Sequence, residues 1–182
     1  NLKADGLRGS YYYADAMMLD DELVLETIYD AYKRGAIPLN YVRACHVSAK
    51  NSRGYFEVQL EDCLNPGSQA TVQSREVIVC AGPWTEKIGS LIEGGSGRRL
   101  KPSRGIHLIL NWNRFPIESS IVLYASDGRI VFAIPRKDMG LGAEFVIIGT
   151  TDAPETGDLE KVQAHPADID YLLNVLKEYF PK

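Results

Sequence analysis

No apolar run in the sequence approaches the ~18 residues that a membrane-spanning helix needs, so no segment is expected to cross a bilayer as a helix. Basic residues are in the minority, 20 Lys and Arg against 24 Asp and Glu for a net charge of −4 at pH 7, and they are scattered. That gives no electrostatic case for a nucleic-acid partner. Cysteine is scarce and odd in number: Cys45, Cys63 and Cys80 lack CxxC spacing and mostly fall in apolar, strand-like runs. This argues against a disulfide framework and for buried free thiols in a reducing compartment. Phosphate and metal signatures are missing as well. The stretch "GGSGRRL" lacks the third glycine, preceding strand and following helix of a dinucleotide fingerprint, and Asp152 begins no calcium loop. No P-loop, zinc spacing or GxSxG elbow occurs, so no metal site is expected.

What is present is an ordinary globular composition, 45% hydrophobic and 24% charged. Its 182 residues are enough to bury roughly 70% of the surface an unfolded chain would expose. The sequence opens on "NLKADGLRGS" without an initiator methionine or signal-peptide pattern and closes on "EYFPK" directly after a helical stripe, which predicts a piece of a longer protein.

Hydrophobic periodicity predicts a mixed, α+β architecture. "SYYYADAMM" reads as a tyrosine-rich strand. "LDDELVLETIYDAYKRG" reads as a helix, with Asp20 and Asp21 as N-cap candidates, Val24, Ile28 and Ala31 at helical spacing and Gly35 as terminator. "NYVRACHVSA", "YFEVQLE" and "ATVQSREVIVCAG", separated by Gly-, Pro- and Asn-bearing turns, predict a three-stranded β-meander. Gly and Arg crowd residues 94–99, the best candidate for a boundary. Beyond it, "GIHLILNW", "SIVLYA", "RIVFAIP" and "EFVIIGTTD" predict a second antiparallel region, with Asp127-Gly128 as a type I′ hairpin turn. "HPADIDYLLNVLKEYF" closes the set as a helix with Pro166 in its first turn, Ile169, Leu172, Leu173, Leu176 and Phe180 as its apolar stripe, and Pro181 as its stop.

Three stretches could carry chemistry. In "EVIVCAGPW" an apolar run ends in Ala81-Gly82, small residues that let a ligand approach the backbone; a strand ending in a turn, with Trp84 as a core plug, reads the same way. In "RGIHLIL" strand alternation places Gly105, His107 and Ile109 on one face and Ile106, Leu108 and Leu110 on the other, so the imidazole has a residue without a side chain beside it. Such a gap is room for a substrate, and a histidine satisfied at a sheet edge is the alternative. In "IIGTTDAP", Thr150, Thr151 and Asp152 follow Gly149 at the end of an apolar strand, where they either bind a polar ligand or simply end the strand. His46 and His165 read as structural.

Taken in order, "YYYADAMMLDDELVLETIYDAYKRGA", "VIVCAGPW", "KPSRGIHLIL", "SDGRIVFAIP", "IIGTTDAP" and "DIDYLLNVL" resemble the middle section of FAD-dependent glycerol-3-phosphate dehydrogenases, within the D-amino-acid-oxidase-like flavoprotein group. The resemblance runs through nearly the whole chain. It implies a substrate-domain strand at 1–20, a helix and β-meander of the FAD-side domain at 21–97, and an antiparallel substrate-domain sheet with a helix at 98–182, the Rossmann βαβ unit being absent. It places Ala44 where backbone groups meet the adenine of FAD and Ala81 and Gly82 where the chain passes close to the cofactor. His107 matches a histidine that faces the flavin and accepts the C2 hydroxyl proton of the substrate, a task suited to an imidazole that titrates near neutral pH. Arg104 is a weak candidate for gripping the substrate phosphate, and Thr150, Thr151 and Asp152 would shape the substrate site. The implied reaction oxidises sn-glycerol 3-phosphate to dihydroxyacetone phosphate, with electrons passed on to quinone at the inner, cytoplasmic face of the cell membrane through peripheral association. The chain alone is expected to be inactive. Two other readings stay open: a related FAD-dependent amine or 2-hydroxy-acid oxidoreductase, and a non-catalytic binding module that retains the fold.

Overall fold

A computed structural model describes residues 2–3, 5–95, 99–137 and 144–181. The chain divides into two compact units, one of residues 10–100 and one of residues 1–9 with 101–182. The boundary expected at 97/98 falls at residues 96–98, outside the described residues.

In the unit of residues 10–100, helix α1 spans Asp20–Lys33. Asp20, Asp21 and Glu22 occupy its first turn and Lys33 its last, matching the signs of the helix macrodipole. The sequence expectation that Asp20 or Asp21 caps the helix fails: Leu19 precedes the helix in extended conformation without a capping side chain. Gly35 takes a left-handed φ of 94° and donates its N–H to Tyr32 O, ending the helix as expected. The strand expected over 10–18 does not form: among the described residues no segment pairs with it, and Tyr11, Tyr12 and Tyr13 are exposed.

The meander does form. Strands β1 (Val42–Val47), β2 (Phe56–Asp62) and β3 (Gln69–Ser74) pair antiparallel in chain order. A register shift between Ala44 and His46 makes Cys45 the extra residue of a bulge in edge strand β1. The third strand is shorter than its apolar run predicts. Ser74 Oγ donates to Glu76 O at 2.6 Å and the ladder ends there, leaving Ile78 and Cys80 exposed and, among the described residues, no strand partner for 76–81. A 3-10 turn at Gly82–Trp84 leads into the short helix α2, Thr85–Gly89. Val47 is buried where its N–H donates to Leu91 O and its carbonyl accepts from Glu93 N–H, both at 2.9 Å. The three cysteines are free, but the expected burial fails: Cys45 is half-buried and Cys63 and Cys80 are exposed.

In the other unit, β4 (Ser103–Arg104) pairs with β9 (Ala153–Pro154). A four-stranded antiparallel sheet combines β5 (His107–Asn111), β6 (Ile121–Tyr124), β7 (Ile130–Arg136) and β8 (Phe145–Gly149) in the order β5-β8-β7-β6. The β6–β7 hairpin falls where Asp127-Gly128 predicts it, with a different turn. Only Gly128 has positive φ, 85°, and its N–H closes a turn on Ala125 O while Ala125 N–H donates to Arg129 O. This is a three-residue connection with glycine in the left-handed position, not type I′.

Helix α3 (Pro166–Tyr179) supplies the other half of this unit's core. Its stripe is rotated slightly from the expected one: Leu172, Val175 and Leu176 are buried, Ile169 is exposed, and they pack with Leu123, Val131, Ala133, Val146 and Ile148 from one face of the sheet. Each large apolar side chain buried there contributes about 1.5–3 kcal/mol. Phe115 and Phe180 meet edge-to-face at 4.9 Å beside it, and Tyr179 OH donates to Tyr124 O at 2.7 Å.

Candidate active site

The core takes one face of the four-stranded sheet and leaves the other open. Along β5 the alternation is as read from the sequence: Ile106, Leu108 and Leu110 turn toward the core, and His107, Ile109 and Asn111 are exposed. Antiparallel register then identifies the neighbours of the imidazole, since directly opposed residues share a face. His107 lies opposite Gly149, which lies opposite Phe132, and Phe132 lies opposite Val122. Ile109 and Ile147 form the next row, and Ile130 and Tyr124 stand exposed further along. The result is an open, largely apolar surface carrying one imidazole.

Beside His107 the two ladders are interrupted. Between β4–β9 and β5–β8, residues 105–106 face 150–152 without regular pairing, and threonine hydroxyls take over from the backbone. Ile106 N–H donates to Thr151 Oγ1 at 3.0 Å, and Thr150 Oγ1 donates to Ile106 O at 3.3 Å and to Thr151 O at 3.1 Å. Thr151 is buried and Thr150 exposed. Gly105 is required for this crossing, because a Cβ there would fall on Thr150 Oγ1. The threonine pair thus stitches the strands at the point where His107 begins β5.

Arg104, three residues before His107, is almost enclosed. Its Nη1 donates to Glu155 Oε2 at 2.6 Å and its Nε and Nη2 lie 3.1 and 3.0 Å from Asp168 Oδ2, with all three side chains 9–13% exposed. Asp168 also accepts the His165 backbone N–H at 3.2 Å, tying the first turn of α3 to the β4–β9 ladder. Burial pushes the Asp168 carboxyl upward, but the His165 N–H and the Arg104 guanidinium outweigh it and hold the group below its ordinary value. The Gly157 N–H and then Arg104 do the same for Glu155, and hydrogen bonding to Glu155 leads the upward shift of Arg104. A guanidinium with both carboxylates already on it is an anchor of the strand rather than an open anion fork. Sequence reasoning missed Glu155 and Asp168 altogether. The only available signal was a charged residue in an apolar neighbourhood, which names no partner.

Asp152 is exposed, and its carbonyl accepts from Arg129 Nη1 at 2.9 Å. Arg129 also pairs with Asp127 and stacks over the Tyr171 ring at 4.1 Å, so the hairpin tip, α3 and the segment after β8 meet at one guanidinium. Ala44, Ala81 and Gly82 belong to the unit of residues 10–100. Ala44 is half-buried beside the bulge of β1, Ala81 is half-buried, and Gly82 is exposed at φ 50° with open space where a Cβ would point. His46 Nε2 lies 3.1 Å from Glu93 Oε1, and His165 precedes α3, the structural settings expected of both. Among the described residues no group of three or more His, Cys, Asp or Glu is placed to hold a metal ion, and no helix is long and apolar enough to cross a membrane.

A family model described as FAD dependent oxidoreductase (DAO) matches residues 1–182, the full chain. The chain belongs to the FAD-dependent oxidoreductase family. Within it, the chain is 31% identical over 184 residues to an alpha-glycerophosphate oxidase of Streptococcus pyogenes and 30% identical over 181 residues to an aerobic glycerol-3-phosphate dehydrogenase of Bacillus subtilis. Each alignment takes in 100% of this chain and 29% and 31%, respectively, of the relative, so the chain spans about three-tenths of the length of the proteins it matches. A solved glycerol-3-phosphate dehydrogenase of Bacillus halodurans, complexed with FAD, superposes with a TM-score of 0.75 at 31% identity over 89% of this chain and 31% of that one. The mixed α+β fold with antiparallel sheets is that of an FAD-dependent oxidoreductase. The residues present suit such a cofactor: an open apolar sheet face accepts a flat ring, and Gly82 exposes backbone to a close approach.

Proposed function

We propose that the protein containing this chain oxidises sn-glycerol 3-phosphate to dihydroxyacetone phosphate, with His107 as the proton acceptor. The observation that supports it most directly is the exposed imidazole on an otherwise apolar sheet face in a chain whose relatives carry glycerophosphate oxidase and dehydrogenase names. Bound FAD supplies the acceptor for the hydride that leaves C2. His107 takes the C2 hydroxyl proton, so that one C–H and one O–H bond break, the carbonyl forms, and two electrons leave with the hydride. Thr150, Thr151 and Asp152 shape the strand ends beside it. Arg104 holds β4 in place through Glu155 and Asp168. In the unit of residues 10–100, Ala44, Ala81 and Gly82 are the backbone positions assigned to FAD.

Electrons pass onward to quinone, with the protein peripheral at the cytoplasmic face of the membrane. The streptococcal relatives' oxidase name favours a second reading for the acceptor alone, in which dioxygen takes the electrons. Residues 1–182 by themselves turn over no substrate.

The test is anaerobic reduction of the full-length, FAD-loaded protein by glycerol 3-phosphate, followed as bleaching of oxidised flavin. Removing a general base costs about 10²–10⁴-fold, so His107→Asn is expected to slow bleaching by at least 100-fold. Bleaching by an amine or another 2-hydroxy acid but not by glycerol 3-phosphate would replace the substrate, and an unchanged rate in His107→Asn would remove the base.

A further inference from the structure

Gly149 sits in β8, an interior strand of the sheet, where glycine is unfavourable because it adds backbone freedom and no packing surface. Its φ is not positive, so a left-handed backbone does not account for its presence. The reason lies in its surroundings. A Cβ at Gly149 would fall on Cδ2 of His107, and would stand 3.0 Å from Nε2 of the same ring and 3.0 Å from the carbonyl oxygen of Ile106. Gly149 is buried although its row lies on the open face of the sheet. The imidazole lies over it and occupies the place of its missing side chain.

We propose that Gly149 is a positioning residue for His107: the notch it leaves in β8 lets the imidazole lie across the strand, and so fixes where the ring nitrogens meet the substrate hydroxyl. Any side chain at 149 would lift the ring off the sheet. The Ile106 carbonyl, 3.0 Å away on the backbone side, need give only a few tenths of an ångström, so the ring is the group that must move. The catalytic half of this proposal rests on His107 being the proton acceptor; the steric half does not.

A misplacement of about 1 Å in a reacting group can cost 10²-fold in rate. In the full-length FAD-loaded protein, Gly149→Ala is expected to lower the limiting rate of flavin reduction by glycerol 3-phosphate about 10- to 100-fold, with KM changed by less than about threefold. The same substitution in a His107→Ala background is expected to cost less than about threefold, because the ring it displaces is gone. Equal losses in both backgrounds would overturn the proposal, as would no loss in the first while His107→Ala is itself slow. A crystal structure of the Gly149→Ala protein gives a readout independent of turnover: a displaced imidazole supports the steric claim and an unmoved one refutes it. A displaced ring in a protein whose rate does not depend on His107 would leave the notch standing and remove the base. Should Gly149→Ala fail to fold, recovery of folded protein in the double variant supports the coupling, and no recovery counts against it.

Discussion

Replacing Thr151 by valine keeps the shape of the side chain and removes its hydroxyl, the partner of the Ile106 N–H at 3.0 Å. Both residues are buried, so no water is at hand to take over, and the amide is left unsatisfied at a cost of about 1–3 kcal/mol. The added methyl offsets up to ~0.8 kcal/mol of that. The net expectation is a loss of about 1–2 kcal/mol. Serine at the same position keeps the hydroxyl and gives up a methyl, so its global cost is similar, ~1 kcal/mol, and global stability alone does not separate the two. Amide exchange does. In Thr151→Val the Ile106 amide should exchange about 5- to 30-fold faster relative to the sheet amides of β7, the factor that corresponds to such a free-energy loss. In Thr151→Ser it should keep its protection. Exchange-detected mass spectrometry of a peptide spanning 104–108 in the full-length protein reads the difference. Unchanged exchange in the valine variant, or faster exchange in both, would show that the hydroxyl does not hold the gap between the two ladders.

Two further outcomes follow from the same unit. Leu172 is fully buried between α3 and the sheet, so Leu172→Ala should lower stability by about 2–5 kcal/mol, read as a fall in denaturant midpoint without a change in slope. Asp168 and Glu155 are both held below their ordinary values of 3.8 and 4.5, so the stability they contribute is fully present above that range and is lost as pH falls through their lower, folded values. Acid titration of unfolding should therefore show a destabilising limb below about pH 4 that shrinks in Arg104→Met, and a limb of unchanged size would mean the guanidinium does not hold the two carboxylates down.

Local pattern makes much of this unit legible in the sequence. The alternation in "GIHLIL" separates core from open face because a strand has only two sides, and the apolar spacing of "DYLLNVLKEYF" needs only a small rotation to match the buried stripe of α3. What failed depended on partners. "EVIVCAG" and "SYYYADAMM" have the composition of strands, yet neither pairs, since a ladder is a property of two segments. Asp20 and Asp21 are good capping residues that here lie one and two positions inside the helix. The ion triad joins residues 51 and 64 positions from Arg104, and the notch under His107 requires the β5–β8 register, so neither could be found from neighbours in the chain. The glycine visible at 105 suggested the gap beside the imidazole, but Gly105 faces Thr150 and the ring rests on Gly149.

The two-sided character of β5 also sets a rule of parity for the chain's length. Register fixes Asn111 opposite Phe145 at one end, and Arg104 is moored to α3 at the other. One residue inserted or deleted between His107 and Asn111 would leave the two ends out of phase, turning either the imidazole inward or the apolar side chains of the far half outward, whereas a change of two residues would keep both ends in phase. Sequence drift in this stretch is therefore free to alter the identity of side chains far more readily than to alter their count.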